Sequence, residues 1–427
     1  MRKWLLWCCL WLTAFVMTEH QAGFAQEKEI VVLVDGSKVE FDVLPILQEG
    51  RTLVPFRAIA EVLGVDVSWE STSQTVTATR NGSRIVLQIG NETAWVNGNP
   101  MILDVPPVLS AGRTLIPLRF FSESLGAEVD FDAVNRAVKI VSPPSSMKVL
   151  GFYALGSRQN GSSSWSNLFG AEFPQRSSNG YTELVDELGL GWYSLDADGS
   201  LLQDSSTGWR KPEGWESVLE AAKEETMTTE MVVHLPDRDS TMENILKNEA
   251  ATQKAILSMV EEAKRYHMGI NLDIEGLGFN QSPEQLAETR RMFTEFVRKL
   301  SNQAKEQGLT VTLTLHPLNS AYRGYDYKAL GELADAIVVM AYEYHTLKGT
   351  PEPLRKVQEA IVMALAEVPA EKLILGITVV NETGKSIVEK VGLAKRYKLK
   401  GIALWRLGLV NEEQGQALRK SILPRSE

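Results

Sequence analysis

A (β/α)8 barrel preceded by a small α+β module of two similar units is the fold class this sequence predicts. Three observations carry the prediction. A segment recurs 62 residues apart in the first third of the chain, a short Pro/Ser connector follows, and beyond it eight apolar strand-like stretches alternate with helical ones. The length, 427 residues, suits two or three domains.

The chain opens on Arg2 and Lys3, then an apolar run from Trp4 to Val16, then the small residues of Ala22-Gly23-Phe24-Ala25. This order reads as a secretory signal peptide over residues 1–25, too short to span a membrane comfortably. Both cysteines, Cys8 and Cys9, lie inside it, and nothing before Cys8 reads as a lipoprotein site. The expected mature chain therefore has no disulfide, no cysteine nucleophile and no stable membrane span.

The repeat comes next, in a module expected over residues 28–142. Arg51-Thr-Leu-Val-Pro-Phe-Arg57 returns as Arg113-Thr-Leu-Ile-Pro-Leu-Arg119. At the same offset, Val34-Asp35-Gly36 answers to Val96-Asn97-Gly98, Asp42 to Asp104, and Leu63-Gly64 to Leu125-Gly126. Each copy reads as a strand, a tight Asp-Gly or Asn-Gly turn and a second strand. A Pro then precedes a short helix, with Ile59, Val62 and Leu63 or Phe120, Phe121 and Leu125 at helical spacing. Gly64 and Gly126 suit helix ends. The connector expected over 143–147, beginning with two prolines, suits a short, stiff, exposed linker.

From residue 148 to 424 the pattern changes. Candidate strands are Val149–Tyr153, Gly191–Leu195, Thr229–Leu235, Met268–Ile274, Thr310–Leu315, Ala336–Tyr342, Lys372–Val379 and Gly401–Trp405. Helices such as Thr241–Tyr266, Pro283–Gln307, Pro353–Val368 and Lys385–Tyr397 lie between them. Eight strands alternating with helices over about 275 residues match a barrel of the TIM type. A doubly wound sheet would want a Gly-rich phosphate turn after an early strand, and the sequence has none.

Composition narrows the function. The formal charge is −10, and removing Arg2, Lys3 and Glu19 leaves the remainder one unit more negative. An acidic chain without basic runs argues against nucleic acid. The five histidines, His20, His234, His267, His316 and His345, show no metal-ligand spacing. The reading therefore implies neither a metal nor a cofactor.

In such barrels, chemistry sits at the C-terminal ends of the strands. The fourth candidate strand ends with Asn271, Asp273 and Glu275 at alternate positions, so their side chains share one face. Ile270, Leu272 and Ile274 then face the helices. Stacked polar groups inside a barrel are costly unless paired. Two close carboxylates repel when both are ionised, so one holds its proton to higher pH, as a general acid requires. Glu275, nearest the mouth, is the expected donor, and Asp273 lies one layer deeper.

The strand resembles the Asp-x-x-Asp-x-Asp-x-Glu signature of family 18 glycoside hydrolases, with Glu275 at the acid position and Asp273 at the adjacent aspartate. The resemblance covers residues 148–424. Met340-Ala341-Tyr342 and Leu404-Trp405-Arg406 fall where the family has comparable strand ends, and Trp192–Gly199 looks like its spore-cortex and wall-lytic branch. The resemblance implies a substrate-assisted reaction on a 2-acetamido sugar. Glu275 would be the acid and then the base, Asp273 and Tyr342 would hold the acetamido group, and Trp405 would floor the sugar site. Asn271, Glu343 and Tyr153 complete the expected sugar-binding set. Met268 and Asn271 replace two aspartates of the signature, and Glu343 stands where an aspartate usually follows the tyrosine.

The first module resembles the N-terminal domain of copper amine oxidases, a stalk-like module without the oxidase's copper site. A cell-surface role for it is expected by analogy. The connection from Val380 to Gly401 has room for one helix and no inserted domain, which suits an open groove able to admit a branched, peptide-bearing polymer. The expected substrate is a polysaccharide containing N-acetylglucosamine, peptidoglycan of wall or spore cortex, acted on outside the cytoplasm. A chitinase or chitooligosaccharidase is the alternative, and a non-catalytic sugar-binding barrel is a third reading.

Overall fold

The two arginine segments meet at the centre of the first module. In the computed structural model, which describes residues 29–154, 163–204, 210–236, 240–344 and 349–425, strands Arg51–Pro55 and Arg113–Pro117 pair antiparallel, Val54 opposite Ile116. That register makes the repeats swap places about this pair. The short edge strands Ile46–Gln48 and Val108–Ser110 flank it. Helices Phe56–Val62 and Leu118–Glu123 start directly after Pro55 and Pro117, whose fixed φ suits a helix entrance. Strand Val31–Val34 pairs parallel with Ala137–Val141, so the first strand of one repeat is completed by the last of the other. Val32, Val54, Ile59, Ile116 and Phe121 are among the fully buried residues of the shared core. The expected signal peptide and His345 lie outside the described residues.

All eight expected barrel strands are present. They run Lys148–Ala154, Glu187–Leu195, Thr228–Leu235, Gly269–Ile274, Val311–Leu315, Ala336–Val339, Leu373–Thr378 and Gly401–Trp405. Each pairs parallel with the next, and the eighth closes on the first. Closure fixes Gly401, where a Cβ would overlap the Lys148 carbonyl. Alternate residues divide the core. Leu150, Phe152, Val232, Val338, Ile374 and Ala403 fill the lumen, whereas Ile270, Leu272 and Ile274 join the larger layer between strands and helices.

Three expectations change. The helix expected over Thr241–Tyr266 is two, Thr241–Lys247 and Glu249–Tyr266, because Asn248 leaves helical geometry (φ −117°) and its side chain accepts the Ala251 N–H instead. The sixth strand stops at Val339; Met340 still donates its N–H to the Leu315 carbonyl, and Ala341 and Tyr342 turn out of the ladder. The Pro/Ser segment is not an exposed linker. Ser142 donates its N–H and hydroxyl to Asp35, Lys395 reaches Ser142 Oγ at 3.1 Å and the Pro143 carbonyl at 3.2 Å, and Ser145 pairs with Ile422. Burial of Ser142 and Pro143 follows from this docking. Helix Gly384–Arg396 thereby carries the first module, with Gly392 packed against Asp35 and Arg396 donating to the Lys38 carbonyl. Among the described residues no helix is long and apolar enough to cross a membrane.

Candidate active site

Strand geometry gathers the site at the C-terminal mouth of the barrel. Asp273, 3% exposed, and Glu275, whose side chain is 33% exposed, project into the lumen from strand Gly269–Ile274 and the residue beyond it. Burial, and then the charge of Glu275, holds the Asp273 carboxyl well above the usual carboxylate range. Of the pair, the deeper aspartate is thus the one whose charged form its surroundings disfavour. Asp273 Oδ1 is buried and has no hydrogen-bond partner among the described residues.

Tyr342 approaches from the turn after the sixth strand. Burial, then the charges of Asp273, Glu275 and Glu343, pushes its phenol well above the ordinary value. The hydroxyl-bearing ring thus lies in the field of both carboxylates. Glu343 itself is exposed and has a left-handed backbone (φ +63°). Its N–H and that of Tyr344 both donate to the Glu352 carboxylate, at 3.0 and 3.2 Å. Glu352 in turn donates its own N–H to Glu382, which is ion-paired with Lys390 at 2.5 Å. A buried three-residue chain therefore fixes the turn that presents Tyr342. Trp405, at the end of the eighth strand, packs edge-on against Phe152 with ring centres 5.3 Å apart, and the peptide bond that follows it is cis.

Two expected sugar contacts are corrected. Asn271 is fully buried one layer below the mouth. Its amide donates to Glu230 at 3.0 Å and its carbonyl accepts from Thr314 at 2.8 Å, so it cannot reach a sugar. Glu230, which also accepts from Thr312, is pushed up to about 8 by burial and by Glu187. Tyr153 faces the opposite way. It lies in the layer between strands and helices, its ring edge-on to Trp192 at 6.2 Å, because the lumen-facing parity of its strand belongs to Leu150 and Phe152. Asp196–Ser200 forms a tight turn into the short strand Leu201–Leu202.

The structure adds residues that the sequence reading passed over. His234 ends the third strand with Nε2 3.7 Å from a Glu275 oxygen. His316 follows the fifth strand and stacks on Tyr322 at 4.0 Å; burial lowers its pKa, and Glu275 opposes the shift. One ligand atom from each of His234, Asp273 and Glu275 lies within 4.8 Å of the others, a grouping that could hold a divalent cation once Asp273 loses its proton. Linear spacing hid it because the residues come from neighbouring strands. Tyr325 is a positioning residue. Its buried hydroxyl donates to the Ile274 carbonyl at 2.7 Å and accepts from Leu277 N–H at 3.4 Å, bracketing the backbone of Glu275. Placement after the fifth strand, in a loop returning over the fourth, was its one signal.

Comparison with known proteins gives the following. Residues 208–383 match the family model of glycosyl hydrolases family 18, and residues 33–140 match that of the copper amine oxidase N-terminal domain. Over 142 residues the chain is 30% identical to the cortical fragment-lytic enzyme of Bacillus subtilis (strain 168), a match covering 31% of each protein. It is 27% identical over 142 residues to the enzyme of the same name from Bacillus anthracis, again 31% of each. These matches span about a third of the length of those curated relatives. Among solved structures, the fold is similar to the spore cortex-lytic enzyme SleL of Bacillus megaterium QM B1551, with TM-score 0.54 and 19% identity over 76% of this chain and 81% of that one. It is also similar to a class V chitininase from Pseudomonas fluorescens Pf-5, with TM-score 0.52 and 21% identity over 64% and 99%.

Proposed function

From the premise that the chain carries a family 18 glycosyl hydrolase domain, we propose that it is an extracytoplasmic glycoside hydrolase cleaving β-linked N-acetylglucosamine in wall or spore-cortex peptidoglycan. Residues 148–424 are the catalytic unit and residues 28–142 a surface-binding module in this reading. The observation that carries it is the buried, unpartnered Asp273 Oδ1 beside Glu275, whose side chain is one-third exposed. A dry carboxyl oxygen with no partner is costly unless a ligand donor arrives. The acetamido N–H of the sugar is such a donor.

The proton inventory then follows. When the acetamido N–H donates to Asp273, the aspartate becomes the better anion and its proton passes to Glu275, within 4.8 Å. Glu275 gives that proton to the glycosidic oxygen as the C1–O bond breaks. The acetamido oxygen attacks C1, forming a cyclic oxazolinium ion whose charge Asp273 balances. Tyr342 donates to that acetamido oxygen and Trp405 shields the ring face. Glu275, now an anion, takes a proton from water as it attacks C1, which restores the sugar with retained configuration. This demands a 2-acetamido group.

Mass spectrometry of fragments released from purified peptidoglycan and from chitooligosaccharides tests the reading. Muropeptides with new N-acetylglucosamine reducing ends are expected, and their absence together with chitin cleavage would favour the chitinase. Glu275→Gln should lose about 10³-fold or more in rate while still binding polymer. Undiminished activity in that variant would refute the acid role.

A further inference from the structure

The arginines of the repeated segment have no part in the barrel chemistry, yet they line two clefts on the first module, of about 520 and 390 Å3. Both volumes fall within the range of roughly 300–1,000 Å3 common for small-ligand sites. The clefts are equivalents under the repeat. One is lined by Leu47 and Arg51 from the first copy with Asp104, Arg119 and Phe131 from the second. The other is lined by Leu109 and Arg113 from the second copy with Asp42, Arg57 and Trp69 from the first. Each of these five residues of one cleft lies 62 positions from its counterpart among the five of the other.

The lining is chemically specific. Arg51 pairs with Asp104 at 2.7 Å and Arg113 with Asp42 at 2.5 Å, both across the repeats and both half exposed. Each pair sets donors and acceptors side by side at the cleft edge, as neighbouring sugar hydroxyls require. Each cleft also keeps an aromatic ring in water, Phe131 at 47% and Trp69 at 37% exposure, and a leucine, Leu47 at 54% and Leu109 at 58%. Apolar groups left exposed at equivalent places twice over mark a contact surface. Flat aromatic faces suit the apolar face of a pyranose. An added peptide strand fits less well, because the adjacent edge strands Ile46–Gln48 and Val108–Ser110 are three residues each.

We propose that the two clefts are a pair of sugar-binding sites, each taking rings of the glycan strand that the barrel cuts, so that the module grips the polymer at two points. The identity of that polymer rests on the hydrolase reading; the presence of the sites does not. Two weak sites on one rigid module bind a long strand far more tightly than either does alone.

The test uses the full chain with Glu275→Gln, co-sedimented with peptidoglycan sacculi, insoluble chitin and cellulose. Binding to at least one of them is expected. Trp69→Ala or Phe131→Ala should each weaken it about tenfold, and both together about a hundredfold or more. Arg57→Gln with Arg119→Gln, two exposed positions, supplies a second pair should the aromatic variants melt early. Undiminished binding in both double variants, or no binding of the parent to any polymer, overturns the proposal. Cleaved polymer with cleft-independent binding sinks the clefts alone. Cleft-dependent binding without cleavage by the native chain sinks the hydrolase reading alone.

Discussion

Lys390→Met is the most exacting probe of how the site is held. Lys390 and Glu382 are 3% and 0% exposed at their side chains, and their atoms meet at 2.5 Å. Lys390 also donates to the Glu352 carbonyl at 3.2 Å. Removing the ammonium strands a buried carboxylate, which costs about 3–5 kcal/mol. For a domain of this size that is a fall in Tm of about 6–20 °C. Lys390→Met with Glu382→Gln removes both charges and keeps an acceptor for the Glu352 N–H, so it should recover most of the loss. The activity assay adds a second reading. If Glu352 relaxes when Glu382 loses its partner, the 343–344 turn shifts and Tyr342 with it. At a temperature well below either Tm, kcat should fall about tenfold in the single variant and return in the double. Thermal unfolding followed by circular dichroism, with kinetics on the same samples, decides it. A single variant as stable as the native chain, or a double variant no better than the single, would refute the reasoning.

Asp273→Asn should reduce kcat about 10²–10³-fold, since the oxazolinium ion loses its counter-charge. It should also stabilise the fold increasingly as pH rises. The native carboxyl has a raised pKa, so its contribution is intact below the unfolded value near 4 and is lost above it. Paired denaturation curves between pH 4 and 8 would show the gap widening, and a constant gap would contradict the shift. Tyr325→Phe removes both hydrogen bonds of the bracket around Glu275 and should cost about 1–3 kcal/mol, with a fall in kcat larger than any rise in KM. Burial brings Lys395 down to about 8, against the pull of Asp35. Between pH 8 and about 10.5 the unfolded chain then holds more protons, so the native chain should gain about 2–3 kcal/mol relative to Lys395→Met over that window. Flat pH profiles for both proteins would overturn that assignment.

What the sequence made legible was whatever depends on period and register. The eight strands follow from apolar runs of the right length, and the repeat follows from identity at a fixed offset. Asp273 and Glu275 share a face because side chains alternate along a strand. Parity alone could not separate Asn271, which is on that face but one layer down, from groups at the mouth. Tyr153 fails for the complementary reason, because a strand end has two faces and the lumen took Phe152. His234, His316 and Tyr325 were hidden because they come to the surroundings of Glu275 from other strands and loops. The Pro/Ser segment carried the composition of a free connector, but Asp35 and Lys395, distant in sequence, supply the partners that bury it.

The crosswise pairing of the two repeats has a consequence for each copy. Asp42 answers to an arginine in the second copy and Asp104 to one in the first, while the opening strand is completed by the last. Neither copy keeps its partners if the other is deleted. The repeat is thus one of mutual dependence, each copy supplying partners that the other lacks. Behind the 62-residue echo, each copy is part of the other's fold.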